Sequence, residues 1–302
     1  MRNIRFLVSL ITNDNDFQIE QSNAAQETAR KLGVAAQIQF ADNDAITQST
    51  QILRAVQTSE KERPHGIVLE PVGATALPQV ARAALDAGIG WAVLNRDASY
   101  ITELRRTSKI PIFGVSHDQI EVGRIAGYQC IALLPRGGSI LYIAGASQNI
   151  VAREREMGLR ETLPKNIQLT TLRGQWTEES ATRAVRSWLS LSTSRKAAID
   201  IVLSQNDAMA IGARKAFQEL KDESERERWL AIPYLGCDGV PKTGQSWVRS
   251  GLLTATIVTP PTAGQALEML IDILENKRSY PDRVFTAASS MPALDKLAPR
   301  TK

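Results

Sequence analysis

Short apolar, β-branched runs alternate with amphipathic stretches along nearly the whole chain. The runs at residues 4–11, 36–41, 66–72, 91–96 and 111–116 predict five strands, and those at 139–145, 167–174, 199–206, 233–238 and 254–260 predict five more. Between them, residues 17–32, 46–59, 77–87, 120–134 and 262–276 carry apolar side chains at three- and four-residue spacing and predict helices. Gly33 and Gly88 stand where two of these helices should stop, and Gly137-Gly138 precedes the sixth strand.

Steady alternation of strand and helix predicts parallel sheets with right-handed crossovers. Ten strands divide more readily into two doubly wound sheets than they fill one. The expected fold class is therefore α/β, with two doubly wound parallel-sheet lobes and a first crossing near residues 116–118. The charged run KDESERERW at 221–229 predicts a surface helix or a loop extension.

Composition narrows this picture. A chain of 302 residues is long enough for two domains, and 43% hydrophobic with 23% charged residues is ordinary for a globular protein. No stretch approaches the roughly 18 consecutive apolar residues of a membrane span. The opening MRNIRFLVSLI is a short run without a small-residue cleavage site, so it reads as a first strand rather than a signal peptide. A removed leader and a cytoplasmic location both stay open. The net charge of +4 permits nucleic-acid binding, but bases and acids are interleaved, as in Arg153-Glu154-Arg155-Glu156 and Glu225-Arg226-Glu227-Arg228. That is a solvated surface, and no nucleic-acid partner is expected. Cys130 and Cys237 lie far apart, and His65 and His117 are the only histidines. Neither a disulfide framework nor a metal site is expected, and no cofactor.

In open α/β sheets ligands bind beyond the carboxyl ends of the strands, so the residues just after each apolar run are informative. Strand one leads into Thr12-Asn13-Asp14-Asn15-Asp16-Phe17, strand three into Glu70-Pro71, and strand four ends in Asn95-Arg96-Asp97. In the second half, Gln175-Trp176, Asn206-Asp207 and Asp238 take the corresponding places. Asp118 and Asp207 read as helix caps. Amides, carboxylates, an arginine and aromatics together suit a polyhydroxyl ligand. Each hydroxyl both donates and accepts, and the C–H face of a sugar ring lies flat on an aromatic. An enzyme is disfavoured. Gly88-Ile-Gly90 precedes a strand and lacks a third glycine, Gly145-Ala-Ser147 is no nucleophile elbow, and no P-loop is present.

At these residues the chain resembles the periplasmic sugar-binding proteins of the ribose/galactose type, the type I periplasmic binding proteins that share their fold with lactose-repressor-like effector domains. The segments that carry the resemblance are 151–158 (VAREREMG), 204–212 (SQNDAMAIG), 236–239 (GCDG) and 251–257 (GLLTATI), with weaker matches at 94–96 (LNR) and 122–127 (VGRIAG). The resemblance covers nearly the whole chain. It implies an N-terminal lobe of 1–116 plus about 260–284, and a C-terminal lobe of 117–259 plus about 285–302, joined by a hinge.

By position, the resemblance makes Phe17 a stacking aromatic with Asn15 beside it, and Asn95 and Arg96 hydrogen-bonding groups of the first lobe. In the second lobe it makes Arg153 the gripping arginine, Trp176 the other stacking aromatic, and Asn206 and Asp238 the hydroxyl-binding amide and carboxylate. Arg155 reads as a structural or surface partner of neighbouring acids. Blander roles compete: Phe17 as a helix-start staple, Trp176 as packing, Asp238 as a turn cap. Glu70 stands where the family has an amide, Thr259 where a polar amide is expected, and Asn95 and Trp176 are closer to the galactose-type pattern. The implied function is capture of a sugar or polyol by hinge closure for an ABC-type importer, with a membrane permease or receptor as partner. The implied state is a monomer outside the cytoplasm, and the alternative is a ligand-binding sensor domain of a receptor or regulator.

Overall fold

The computed structural model describes residues 4–73, 77–96, 98–194, 197–276 and 278–300. Asp97 of the fourth strand end lies outside the described residues. By contacts the chain divides into two units: Met1–His117 with Pro261–Thr286, and Asp118–Pro260 with Ala287–Lys302.

The first unit begins β1 (Arg5–Leu10), α1 (Asp16–Leu32), β2 (Ala35–Phe40), α2 (Ala45–Gln57), β3 (Gly66–Leu69), α3 (Pro78–Asp86), β4 (Gly90–Leu94), α4 (Tyr100–Thr107) and β5 (Ile112–His117). The second unit continues with α5 (Gln119–Leu133), β6 (Gly138–Ala144), α6 (Ile150–Thr162), β7 (Ile167–Arg173), α7 (Glu178–Leu189), β8 (Ile201–Ser204) and α8 (Asp207–Gln218). It goes on through α9 (Glu223–Leu230), β9 (Tyr234–Leu235), α10 (Gly244–Arg249) and β10 (Thr256–Val258). The chain then returns to the first unit as α11 (Ala263–Asn276) and β11 (Arg283–Thr286), and ends in the second with β12 (Ser289–Met291).

The first sheet has the order β11-β5-β4-β3-β1-β2, all parallel. Its two faces are filled by strict alternation. Phe6, Val8 and Leu10 pack with Phe113, Leu267 and Leu270 on the face of α1 and α11. Leu7, Ile67, Trp91 and Val93 face Ile52, Val80 and Leu104 of α2, α3 and α4. Strands buried on both faces lose the polar half of their alternation, which is why they appear in the sequence as unbroken apolar runs.

The second sheet repeats the order as β7-β6-β8-β9, all parallel, and parallel bridges Leu235–Ala255 and Asp238–Val258 continue it towards β10. Ile140, Tyr142 and Leu203 face Cys130, Leu133 and Leu159 of α5 and α6. Leu141, Ile143 and Val202 face Val185, Met209 and Phe217 of α7 and α8. The fold is thus α/β with two doubly wound parallel sheets.

Two differences from expectation have physical causes. Ten strands were expected; β11 and β12 are additional, and β12 pairs antiparallel with β10. Both are short, and β11 has exposed Arg283 and Phe285 alternating with half-buried neighbours, so no apolar run marks it. The charged run resolves as helix α9, tethered by Trp229, which is buried and stacked on Phe217 at 4.5 Å.

Helices α5 and α6 approach at a pair of glycines. A Cβ on Gly123 would lie 2.1 Å from the Arg155 carbonyl oxygen, and one on Gly158 would lie 1.9 Å from that of Ile120. Gly158→Ala should therefore push α6 off α5 and lower unfolding free energy by about 1–3 kcal/mol, the usual cost of overpacking. Urea unfolding checks this, and an unchanged midpoint would show that the helices do not need the close approach.

Candidate functional site

The sequence-predicted residues fall into two sets, one at the carboxyl strand ends of each unit. In the first unit Asn15 caps α1, its Oδ1 accepting the Phe17 and Gln18 backbone N–H groups at 2.9 and 3.3 Å. Phe17 lies within the first turn and is half-buried. Glu70, at the end of β3, is buried, and its Oε2 accepts Gln18 Nε2 at 2.9 Å and Asn95 Nδ2 at 3.0 Å. Asn95 accepts the Thr262 hydroxyl at 3.3 Å, and Thr262 in turn accepts Gln21 Nε2 at 3.1 Å. Asn95 holds a φ of 55°, which turns the chain off β4 and leaves half-buried Arg96 beyond it.

Gln18, Gln21 and Thr262 were not among the residues expected from sequence. A signal was present: Gln18, Gln21, Ser22, Ala25 and Ala29 share the buried stripe of α1, so two amides sit where a core helix would carry apolar residues. Buried amides need partners, and here they organise the Glu70 carboxylate.

In the second unit one expectation is corrected. Arg153 is exposed on α6. Two residues further on, a helical advance of roughly 200° at 3.6 residues per turn, Arg155 points inward instead and is buried. Its Nε donates to Gln119 Oε1 at 2.9 Å, and its Nη1 donates to the Gln205 carbonyl and lies 3.8 Å from Asp238 Oδ1. Its guanidinium sits 5.8 Å from the Trp176 ring centroid. The arginine that the fold brings to the predicted carboxylate and aromatic is therefore Arg155, not Arg153.

Trp176 is half-buried with φ 67°, and its ring lies so close to Gly145 that a Cβ there would be 2.3 Å from it. Asn206, and not Asp207, caps α8. Its Oδ1 accepts the Met209 N–H at 2.9 Å and its Nδ2 donates to the Trp176 carbonyl at 2.9 Å. Thr259 is buried after β10, and its hydroxyl donates to the Asp238 carbonyl at 3.3 Å. Gln119 and Gln205 are further residues that sequence reasoning missed. Gln205 accepts the Gly145 N–H at 2.8 Å and donates to the Ala152 carbonyl at 2.8 Å, tying the start of α6 to the sheet.

Asp118 does cap α5, as expected. Burial, and next the nearby Asp238 carboxylate, raise Asp207 well above the usual carboxylate range, while hydrogen bonds from Thr256 and Gly239 and the charge of Arg155 pull it down. Burial also pushes the Cys237 thiol up to about 12, so it is not held as a thiolate nucleophile. Among the described residues no cluster of three or more His, Cys, Asp or Glu could hold a metal ion.

Residues 6–278 match the family described as periplasmic binding protein domain. The chain belongs to that family. A periplasmic binding protein is a binder and not an enzyme. Among curated relatives, a putative rhizopine-binding protein of Rhizobium meliloti is 26% identical over 216 residues, 70% of this chain and 66% of that protein, just under two thirds of its length. The ribose import binding protein of Salmonella typhimurium is 24% identical over 250 residues, 83% of this chain and 77% of that protein. A solute binding protein of an ABC transporter from Actinobacillus succinogenes, solved with bound D-allose, superposes with a TM-score of 0.81 at 19% identity, covering 95% of this chain and 97% of its own. That similarity establishes a common fold.

Asn206→Ala should cost about 1–2 kcal/mol through loss of the α8 cap, because the Met209 N–H and the Trp176 carbonyl both lose their partner. Denaturant unfolding measures it. Wild-type stability in the variant would show that neither bond is needed.

Proposed function

We propose that this periplasmic binding protein captures a sugar or sugar-like polyol by hinge closure and presents it, as a monomer outside the cytoplasm, to the membrane permease of an ABC importer. In this reading the two contact units are the lobes. The observation that carries it is the grouping of Arg155, Asp238 and Trp176 at the strand ends of the second unit. A guanidinium fork donates to adjacent ring or hydroxyl oxygens, a carboxylate receives hydroxyl protons, and an indole face covers C–H bonds. The first unit offers the complementary inventory in Phe17, Glu70, Asn95 and Arg96, with Asn15 shaping the loop. Relatives named for ribose import and a neighbour solved with D-allose support a polyhydroxylated ligand.

Binding only one state of the protein stabilises it, so a ligand at about 100 times its dissociation constant raises unfolding free energy by ~2.7 kcal/mol. Thermal unfolding against D-ribose, D-allose, D-galactose, L-arabinose and myo-inositol should show such a rise for at least one of them. A flat response to all five would sink the sugar reading.

The arginine correction gives a sharper contrast. Arg155→Ala should weaken sugar binding by at least a hundredfold, about 3 kcal/mol, within the range for truncating one member of a buried charge pair. Arg153→Ala should leave affinity within about twofold, as for an exposed side chain outside the contact set. Calorimetric titration of both variants decides it, and the reverse ranking would restore Arg153 to the site.

A further inference from the structure

Asp207 is the first residue of α8, directly after the capping Asn206, and it is buried. Its two carboxylate oxygens are divided between two segments. Oδ1 accepts the Thr256 hydroxyl of β10 at 2.6 Å, and Oδ2 accepts the Gly239 backbone N–H at 2.8 Å. Its own N–H donates to the Cys237 carbonyl at 2.7 Å. Gly236 and Gly244 close on the same carboxylate: a Cβ at these positions would lie 2.1 Å from Oδ1 and 2.0 Å from Oδ2. The segment wrapped around Asp207 is thus the one that contains Asp238.

Asp238 is held in the left-handed region at φ 101°, between the Cys237 and Gly239 contacts. Its N–H donates to the Ile257 carbonyl at 2.9 Å, and its carbonyl accepts the Thr259 N–H at 3.1 Å. An L-residue does not rest at such a φ unless its surroundings impose it. Asp207 makes bonds to both sides of that strained turn, through Cys237 and Gly239, and to the strand it lies on, through Thr256.

We infer that Asp207 is a positioning residue for the ligand site: its grip on Gly239 and Thr256 holds the 236–239 turn in the one conformation that aims the Asp238 carboxylate at Arg155. It acts through Asp238 and does not contact ligand. The inference rests on the reading of Asp238 as a ligand group, and it adds what keeps that group aimed. The neighbouring Asn206 does the same for the other loop, through the Trp176 carbonyl. Two consecutive residues at the start of α8 thereby hold both loops that carry the second unit's recognition side chains.

The test has a ligand-free arm and a ligand arm, both on the full chain. In the first, amide hydrogen exchange is followed by NMR in wild type, Asp207→Ala, Asp207→Asn and Thr256→Val. Asp207→Ala should lower protection of the Asp238 and Thr259 amides at least tenfold while amides of β6 and β8 keep theirs. Asp207→Asn should restore protection, because its carbonyl can accept the Gly239 N–H while its amide donates to the Thr256 hydroxyl. Thr256→Val removes one bond without touching Asp207 and should fall between. Unchanged protection at Asp238 and Thr259 in both Asp207→Ala and Thr256→Val would overturn the inference, as would global loss of protection in Thr256→Val.

In the second arm D-ribose and D-allose are titrated calorimetrically. Asp207→Ala should weaken whichever sugar binds at least tenfold, and the loss should vanish in an Asp238→Asn background, since neighbours acting through one group are non-additive. An equal loss in that background would mean that Asp207 does not act through Asp238. If wild type bound neither sugar, that choice of ligand would fail while the exchange arm still decided the role of Asp207.

Discussion

The contact between α5 and α6, where Gly123 and Gly158 leave no room for a side chain, sets the depth at which α6 rests in the second unit. That depth determines what Arg155 can reach. Beside this contact the guanidinium meets Gln119 on the neighbouring helix and the carbonyl of Gln205 just past the end of β8. With the backbones pressed together, both become partners, and a cation is held by neutral acceptors on one side while facing Asp238 on the other. A buried charge is tolerated only when its hydrogen bonds are met in this way.

The two units solve the same problem differently. The first concentrates its polar groups in a neutral-to-acidic chain of amides, running from Gln21 through Thr262 and Asn95 to Glu70 and Gln18. The second sets charge against charge, with the aromatic ring of Trp176 beside the pair. Networks of the first kind specify geometry because every donor has a fixed acceptor. Groups of the second kind are able to make charge-assisted bonds, as the proposed capture of a polyhydroxylated ligand requires.

Much of this was legible in the sequence, and the gaps have physical causes. Strands buried on both faces announce themselves as apolar runs, and the edge strands β2 and β7 still alternate apolar with polar residues, so the first ten were found within a few residues. Strands β11 and β12 were not, because RVFT and SSM are too short and too polar to make an apolar run. Polar residues at strand ends marked Glu70, Asn95, Trp176 and Asp238 as candidates because ends of strands are where side chains leave the core. The choice of Arg153 over Arg155, which the geometry does not favour, has a different cause. Arg153-Glu154-Arg155-Glu156 interleaves like residues, and the inward position of Arg155 emerges only when the buried stripe Ala152, Arg155, Gly158, Leu159 is laid on the helix. Asp207 was read as a cap since Asp and Asn are interchangeable there by type, and only the fold shows that Asn206 holds the cap and leaves Asp207 to the turn.

Asn95, Trp176 and Asp238 share a backbone property whose consequence reaches past recognition. All three hold positive φ without being glycine, at a cost of about 1–2 kcal/mol for an L-residue in that region. Glycine at any of them would relax the chain, though at Trp176 it would also remove a ring that packs against the second unit's core. Smoothing the backbone at these positions to harden the protein would remove the side chains of Asn95, Trp176 and Asp238, the groups proposed to recognise ligand.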